Sequence, residues 1–264
     1  MKLGIIGCGK MGTALLRGIL ARGICAETDV YASDCIEAAT AALKAVLPGV
    51  VVGSNLDVAR HSDVLLLCVK PHQIEDTMKE ISTIEGDPLV ISIAAGFSLE
   101  KLQAAMGAGG RIVRVMPNTP ALVGKGAAAF SLGSKCTTED AERVTELLSA
   151  VGHVEQVSEN LLNAVTGVSG SGPAYVYTII EALADGGVTM GLTKQQALNL
   201  AAQTVAGAAE MVIQTGEHPA QLRDAVTSPG GTTIAALAKL EEKGLRSALI
   251  EAVRTAAQRA DELG

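Results

Sequence analysis

The chain has no tryptophan, and aromatic residues make up only 2% of its 264 positions. That scarcity excludes an aromatic stacking platform and leaves a core of Ala, Val, Ile and Leu. Basic residues are also in short supply, 21 against 28 acidic, for a net charge of −7. Divided at residue 157, the front carries 14 basic and 17 acidic residues and the rear 7 and 11. Neither part has a basic stripe, which argues against nucleic acid as the partner. Charged residues are 19% against 48% hydrophobic, a balance that excludes a disordered chain, a collagenous chain or a coiled-coil rod.

The five cysteines (Cys8, Cys25, Cys35, Cys68, Cys136) are odd in number and form no CxxC pair. They predict buried, apolar thiols in a reducing compartment rather than a disulfide framework or a metal site. No apolar run reaches the roughly 18 residues that a membrane span needs. Residues 1–7 carry one charge and lead directly into a glycine motif, unlike a signal peptide. The expectation is a soluble, cytoplasmic protein without a membrane partner.

What is present is an alternation. Strand-length apolar runs at 3–6, 30–32, 50–52, 64–69, 89–93 and 112–116 are separated by helix-like segments such as 11–22, 37–46 and 99–106. Several runs are apolar on both faces, as parallel strands between helix layers must be. The pattern predicts a doubly wound α/β sheet of Rossmann type. Further strands are expected at 127–132 and 153–157, around a helix opening at Thr137-Thr138-Glu139-Asp140 with acids at its positive end. After Ser158 only helices are expected, over 173–190, 194–214, 231–243 and 245–263. The first holds only Glu181 and Asp185 as charges, so it predicts burial on most sides, in part by a second subunit. The division is residues 1–157, a dinucleotide-binding domain, and 158–264, an all-α domain.

Gly7-Cys8-Gly9-Lys10-Met11-Gly12 is GxGxxG between a strand and a helix. Gly7 permits a tight turn, Gly9 lets a pyrophosphate approach the backbone, and Gly12 packs the helix on the sheet. The diphosphate would lie on amides at a helix N-terminus. Ser33-Asp34 come about 20 residues on, as a dinucleotide site requires. Asp34 either accepts the adenosine ribose 2′-OH, the NAD arrangement, or caps the helix at 37–46. No Arg or Lys lies at 33–43 for a 2′-phosphate, which tilts the residue chemistry towards NADH.

Ligands of open α/β sheets bind beyond the carboxyl ends of strands. Those ends hold Gly53-Ser54-Asn55, Val69-Lys70-Pro71, Ala94-Ala95-Gly96 and Pro117-Asn118-Thr119-Pro120. The small Ala94–Gly96 stretch suits a flat nicotinamide. Asn55 is placed for phosphate or ribose, and Asn118 for the same cleft. Singly, each also reads as a turn former or a solvated charge. In the rear, Ser228-Pro229-Gly230-Gly231-Thr232-Thr233 offers amides and hydroxyls at a helix N-terminus, a receptor for a carboxylate or an ordinary capped turn.

The glycine motif, Val69-Lys70-Pro71, Met116-Pro117-Asn118-Thr119-Pro120, Ser169-Gly170-Ser171-Gly172-Pro173-Ala174-Tyr175, residues 181–187 and the Ser228–Thr233 run together resemble the pyrroline-5-carboxylate reductase family. The resemblance spans essentially the whole chain. It implies a Rossmann domain joined to a helical dimerisation domain, with reduction of 1-pyrroline-5-carboxylate to L-proline by NADP(H) or NAD(H). It further implies a homodimer that assembles further. Carried over, the coenzyme is held by residues 7–12, Ser33, Asn55, Cys68, Val69, Lys70, Ala94, Ala95 and Gly96, and the substrate by Gly230, Gly231, Thr232 and Thr233. Thr233 is the expected catalytic residue. Ala225 stands where some members have Asn.

Three other readings remain. A 2-hydroxyacid or other imine reductase shares the layout, but the hydroxyacid class takes a lysine from its helical domain and none lies between Ser158 and Lys194. A methyltransferase does not need Gly12. A non-catalytic dinucleotide sensor would not need the Ser228–Thr233 loop.

Overall fold

The computed structural model describes residues 1–107 and 109–263. Its front part alternates β1 (Leu3–Ile6), α1 (Lys10–Ala21), β2 (Val30–Ser33), α2 (Glu37–Val46), β3 (Val51–Val52), α3 (Asn55–Arg60) and β4 (Val64–Leu67). It continues through α4 (Pro71–Ile81), β5 (Leu89–Ser92), α5 (Leu99–Met106), β6 (Ile112–Met116), β7 (Gly126–Leu132), α6 (Thr138–Ser149) and β8 (Gly152–Gln156). The eight strands form one sheet in the order β3-β2-β1-β4-β5-β6-β7-β8. All pairings are parallel except β6 with β7. The order reverses between β1 and β4, where a doubly wound sheet opens its ligand crevice.

Alternation along each buried strand feeds two cores. Leu3, Ile5, Leu66 and Ile91 join Leu15, Leu16, Ile19 and Val144 on one face. Ile6, Leu65, Leu67 and Val90 join Val58, Ile74, Met78 and Leu102 on the other. Two helices beyond the sequence expectation fill the crossovers. A capping box, Ser54 with Asp57, starts α3, and Pro71 at the first turn starts α4. The acids expected at Thr137–Asp140 also form a capping box, and Asp140 in addition receives Arg111 at 2.7 Å.

The rear is helical as expected: α7 (Leu162–Val165), a π-turn at Thr166–Gly170, α8 (Gly172–Thr189), α9 (Lys194–Thr215), α10 (Pro219–Ala225), α11 (Thr232–Glu242) and α12 (Leu245–Leu263). Compact packing divides the chain into Met1–Ser171 with Thr255–Gly264, and Gly172–Arg254. The second unit has little core of its own, namely Ala184, Ala197 and Ala201 with Ile180 against them. Burial of α8 is therefore not achieved within one chain. Only Ala184 is buried on it, while Val176, Tyr177, Leu183 and Val188 face outward. No helix among the described residues is long and apolar enough to cross a membrane.

In the first unit a partly buried ion pair ties the sheet to the segments packed at its edge. Arg114 on β6, 9% exposed, donates to Glu159 at 3.0 Å and reaches Asn163. Glu159 also accepts the Leu99 amide at 2.6 Å, and Asn163 donates to Asp261 on α12. Sheet, α5, α7 and the end of α12 thus share one polar network.

The thiols depart from expectation. Cys8 alone is buried, Cys35 is exposed, and the other three are intermediate. Cys35 stands beyond the end of β2, where the chain leaves the sheet before α2 covers it. Burial, with the Asp34 carboxylate adding, pushes the Cys8 thiol up to about 12. Burial also pushes Cys68 up to about 12, with Cys8 adding.

These contacts have two expected outcomes. Glu159→Ala removes the main partner of the Arg114 charge and should lower stability by about 1.5–3 kcal/mol in urea titration; Glu75→Ala, from the exposed Lys79–Glu75 pair, should barely move the midpoint. At pH 8 iodoacetamide should alkylate Cys35 first and leave Cys8 and Cys68 unmodified in peptide mapping, since thiols of pKa about 12 hold almost no thiolate there. Rapid labelling of Cys68 in the folded protein would contradict its raised pKa.

Candidate functional site

The site starts where β1 ends. Gly7 turns the chain with φ +101°, and a Cβ there would lie 2.6 Å from the Cys68 carbonyl group on the neighbouring strand end. A Cβ on Gly12 would collide with the Gly7 carbonyl oxygen. Only glycine at both places lets α1 start this close to the sheet. Gly9 is different. Nothing stands within 4 Å of a Cβ built on it, so its face opens to a ligand.

Gly9 is the N-cap of α1, with no side-chain cap and no acid in the first turn. The first amides of the helix, at Lys10, Met11 and Gly12, are therefore left for an anion. Backbone and side-chain bonds hold the loop from below. Gly7 N–H donates to Ser33 C=O at 2.8 Å, and Thr13 Oγ1 to Cys8 C=O at 3.1 Å.

Asp34 carries part of that support. Its Oδ2 accepts the Cys8 amide at 2.7 Å and its Oδ1 accepts the Ile36 amide at 2.8 Å. The alternative of a cap on α2 is corrected here: the N-cap of α2 is Ile36, without a side-chain cap. Asp34 is an Asx-turn residue and a brace for the glycine loop.

A cavity of about 360 Å³ lies along this edge, lined among others by Gly7, Gly9, Asp34, Asn55, Cys68, Val69 and Lys70. Seven of the expected coenzyme residues thus share one wall. His72 and Gln73, at the start of α4, line it too and carry no signal in the motifs. Cys8 and Lys10 instead line a neighbouring cavity on the other side of the loop, which Gly9 also borders. Ser33 is buried beneath Asn55, its hydroxyl donating to Asn55 Oδ1 at 2.7 Å. Ala94, Ala95 and Gly96 come after β5 on the same sheet edge, with Gly96 at φ +77° beside the Leu263 carbonyl.

Asn118 does not face the cleft. It is 9% exposed, donating to the Ser169 carbonyl at 3.0 Å and accepting the Ala127 amide at 2.8 Å. Both ends of its amide are spent on joining the Met116–Pro120 turn to β7 and the π-turn.

In the second unit, Gly230 at φ +67° turns the chain into α11. A Cβ on Gly231 would collide with Ser228 Oγ and lie 3.1 Å from the Ser228 carbonyl oxygen, so a side chain there would crowd the turn. Gly231 is the N-cap, with no side-chain cap and no acid in the first turn. Thr232 and Thr233 are the first two helical residues, so Thr233 does not cap the helix. Their hydroxyls have no hydrogen-bond partner among the described residues, and Thr233 is half-buried. Free amides with two free hydroxyls suit a carboxylate.

Comparison with known proteins agrees with both halves. Residues 159–263 match the family model described as pyrroline-5-carboxylate reductase dimerisation, and residues 2–96 one described as NADP oxidoreductase, coenzyme F420-dependent. A pyrroline-5-carboxylate reductase of Methanosarcina acetivorans is 46% identical, over 100% of this chain and 98% of that protein. The solved reductase of Coxiella burnetii superposes with a TM-score of 0.95 at 37% identity, covering 100% of this chain and 98% of that one. The Plasmodium falciparum enzyme, solved with NADP bound, gives 0.88 at 33% identity, with the same coverage of the two chains. The chain belongs to the pyrroline-5-carboxylate reductase family of oxidoreductases.

Proposed function

We propose that this protein reduces 1-pyrroline-5-carboxylate to L-proline with NADPH or NADH, completing proline biosynthesis. The observation that carries the reading is the uncapped start of α1 at Gly9, open to a cavity at the sheet's switch point. The cradle fits a dinucleotide. Amides at Lys10–Gly12 face a diphosphate, Asp34 and Asn55 meet the adenosine ribose with Ser33 behind them, and Cys68, Val69 and Lys70 flank its path. Ala94, Ala95 and Gly96 leave room for the flat nicotinamide, which when bound supplies the hydride.

The substrate is a cyclic imine bearing a carboxylate. Amides of Thr232 and Thr233, with that of Gly230, hold that carboxylate and so fix the ring, while the Gly231 amide closes the turn on the Ser228 carbonyl at 3.1 Å. The Thr233 hydroxyl hydrogen-bonds the ring nitrogen, which carries its proton as the C=N group becomes a tetrahedral amine. No strong base is needed, since hydride addition to the protonated imine forms one C–H bond and passes the C=N π pair to nitrogen. Holding reactants in this way lowers a barrier by up to about 7–11 kcal/mol. Functionally the division is residues 1–157 for coenzyme and 158–264 for substrate and dimerisation, in line with the dimerisation match from residue 159.

The three-alanine core of the second unit supports assembly, because its outward Val, Leu and Tyr side chains gain about 25 cal/mol per Å² when a partner covers them. We extend this to further association of dimers, and place the enzyme in the cytoplasm.

Thr233→Ala should lower turnover about 10- to 100-fold, roughly 1.4–2.7 kcal/mol of barrier, with coenzyme affinity nearly unchanged. Thr232→Ala keeps its amide and should be milder. Steady-state kinetics on both, beside melting curves, decides; normal turnover in Thr233→Ala would remove its catalytic role.

A further inference from the structure

Asn55, the first residue of α3, presents a side-chain amide that links the coenzyme cavity to the buried end of β2. An amide can point either way. Here Nδ2 donates to Glu80 Oε2 at 2.7 Å, and Oδ1 accepts the Ser33 hydroxyl at 2.7 Å. The carboxylate fixes the choice, since it only accepts, and the flipped amide would set Oδ1 against it. Glu80 is exposed near the end of α4 and is not among the residues lining the coenzyme cavity.

The bond has a consequence for coenzyme choice. A 2′-phosphate is an acceptor with nearly two negative charges and needs donors; a 2′-hydroxyl can itself donate. Glu80 draws one Asn55 N–H away from the cavity, and the fixed Oδ1 in turn consumes the Ser33 proton. Asp34, on the same wall, already spends both oxygens on the Cys8 and Ile36 amides and offers no donor. Lys70 also lines the cavity and supplies the positive charge with which a phosphate can still be held.

We propose that Glu80 is a positioning residue that biases the enzyme towards NADH by holding the Asn55 amide donor away from the coenzyme's 2′ position. The inference rests on the coenzyme reading of this cavity. Removing the carboxylate frees the amide to turn and donate to a phosphate. Gaining one such charge-assisted bond is expected to shift the preference about five- to tenfold.

The test measures dissociation constants for NADPH and NADH by fluorescence titration, and kcat/KM for each. Wild type, Glu80→Ala, Asn55→Ala and the double variant are compared. Glu80→Ala should raise the NADPH-to-NADH ratio of both quantities about five- to tenfold, at unchanged melting temperature and with kcat at saturating coenzyme preserved. In the Asn55→Ala background the same change should leave the ratio as it is, because the coupling runs through that amide. An unmoved ratio in folded Glu80→Ala overturns the proposal. A shift of equal size without Asn55 also overturns it, since the carboxylate would then act on the phosphate directly. Glu80→Met keeps the aliphatic stem and serves if the alanine variant does not fold. Failure of the wild type to bind either coenzyme would instead reject the cavity's assignment, a result distinct from an unmoved ratio.

Discussion

The missing side chains at Gly7 and Gly12 are the constraint on which the rest depends. With a Cβ at either, β1 and α1 would collide with the Cys68 strand end or with the loop's own carbonyl. Their absence brings a helix start to the edge of a parallel sheet, leaving its first amides without protein partners. Asp34 and Ser33 then hold the loop from β2, so the anion receptor is part of the sheet's own hydrogen bonding. A dinucleotide site here is the functional use of a packing requirement.

The second half solves a different problem with the same economy of side chains. Alanines at 184, 197 and 201 let α8 and α9 approach closely, but bury too little to stabilise a free-standing unit. Larger apolar groups are turned outward, where a second subunit can cover them. The loop into α11 repeats the device of the first site: a glycine N-cap, no acid, and free amides. The two helix starts are built alike, and the proposed function uses one for a diphosphate and the other for a carboxylate.

The alternation of apolar runs is enough to read the sheet, because strands buried on both faces leave uninterrupted Val, Ile and Leu. The helices over 55–60 and 71–81 escape that pattern. The first is six residues long and set by a capping box, and the second comes after a strand end at a proline that reads equally well as a turn. Asp34, Asn118 and Glu80 show a sharper limit. Spacing places Asp34 and Asn118 at the correct edge, but does not say what their polar atoms bond. Asp34 braces the loop, and Asn118 ties β7 to the π-turn. Glu80 lies 25 residues from Asn55, and no local pattern announces their contact. Likewise the return of residues 255–263 to the first unit rests on tertiary packing around Arg114, Asn163 and Asp261.

The most direct test of the whole account is a stoichiometric assay in which purified protein is given 1-pyrroline-5-carboxylate with NADPH or NADH. Coenzyme oxidation is monitored by absorbance and L-proline by amino-acid analysis. The account predicts one proline formed for each coenzyme oxidised, with both coenzymes used. Tight coenzyme binding without proline formation would contradict it, leaving a dinucleotide-binding protein that is not this reductase.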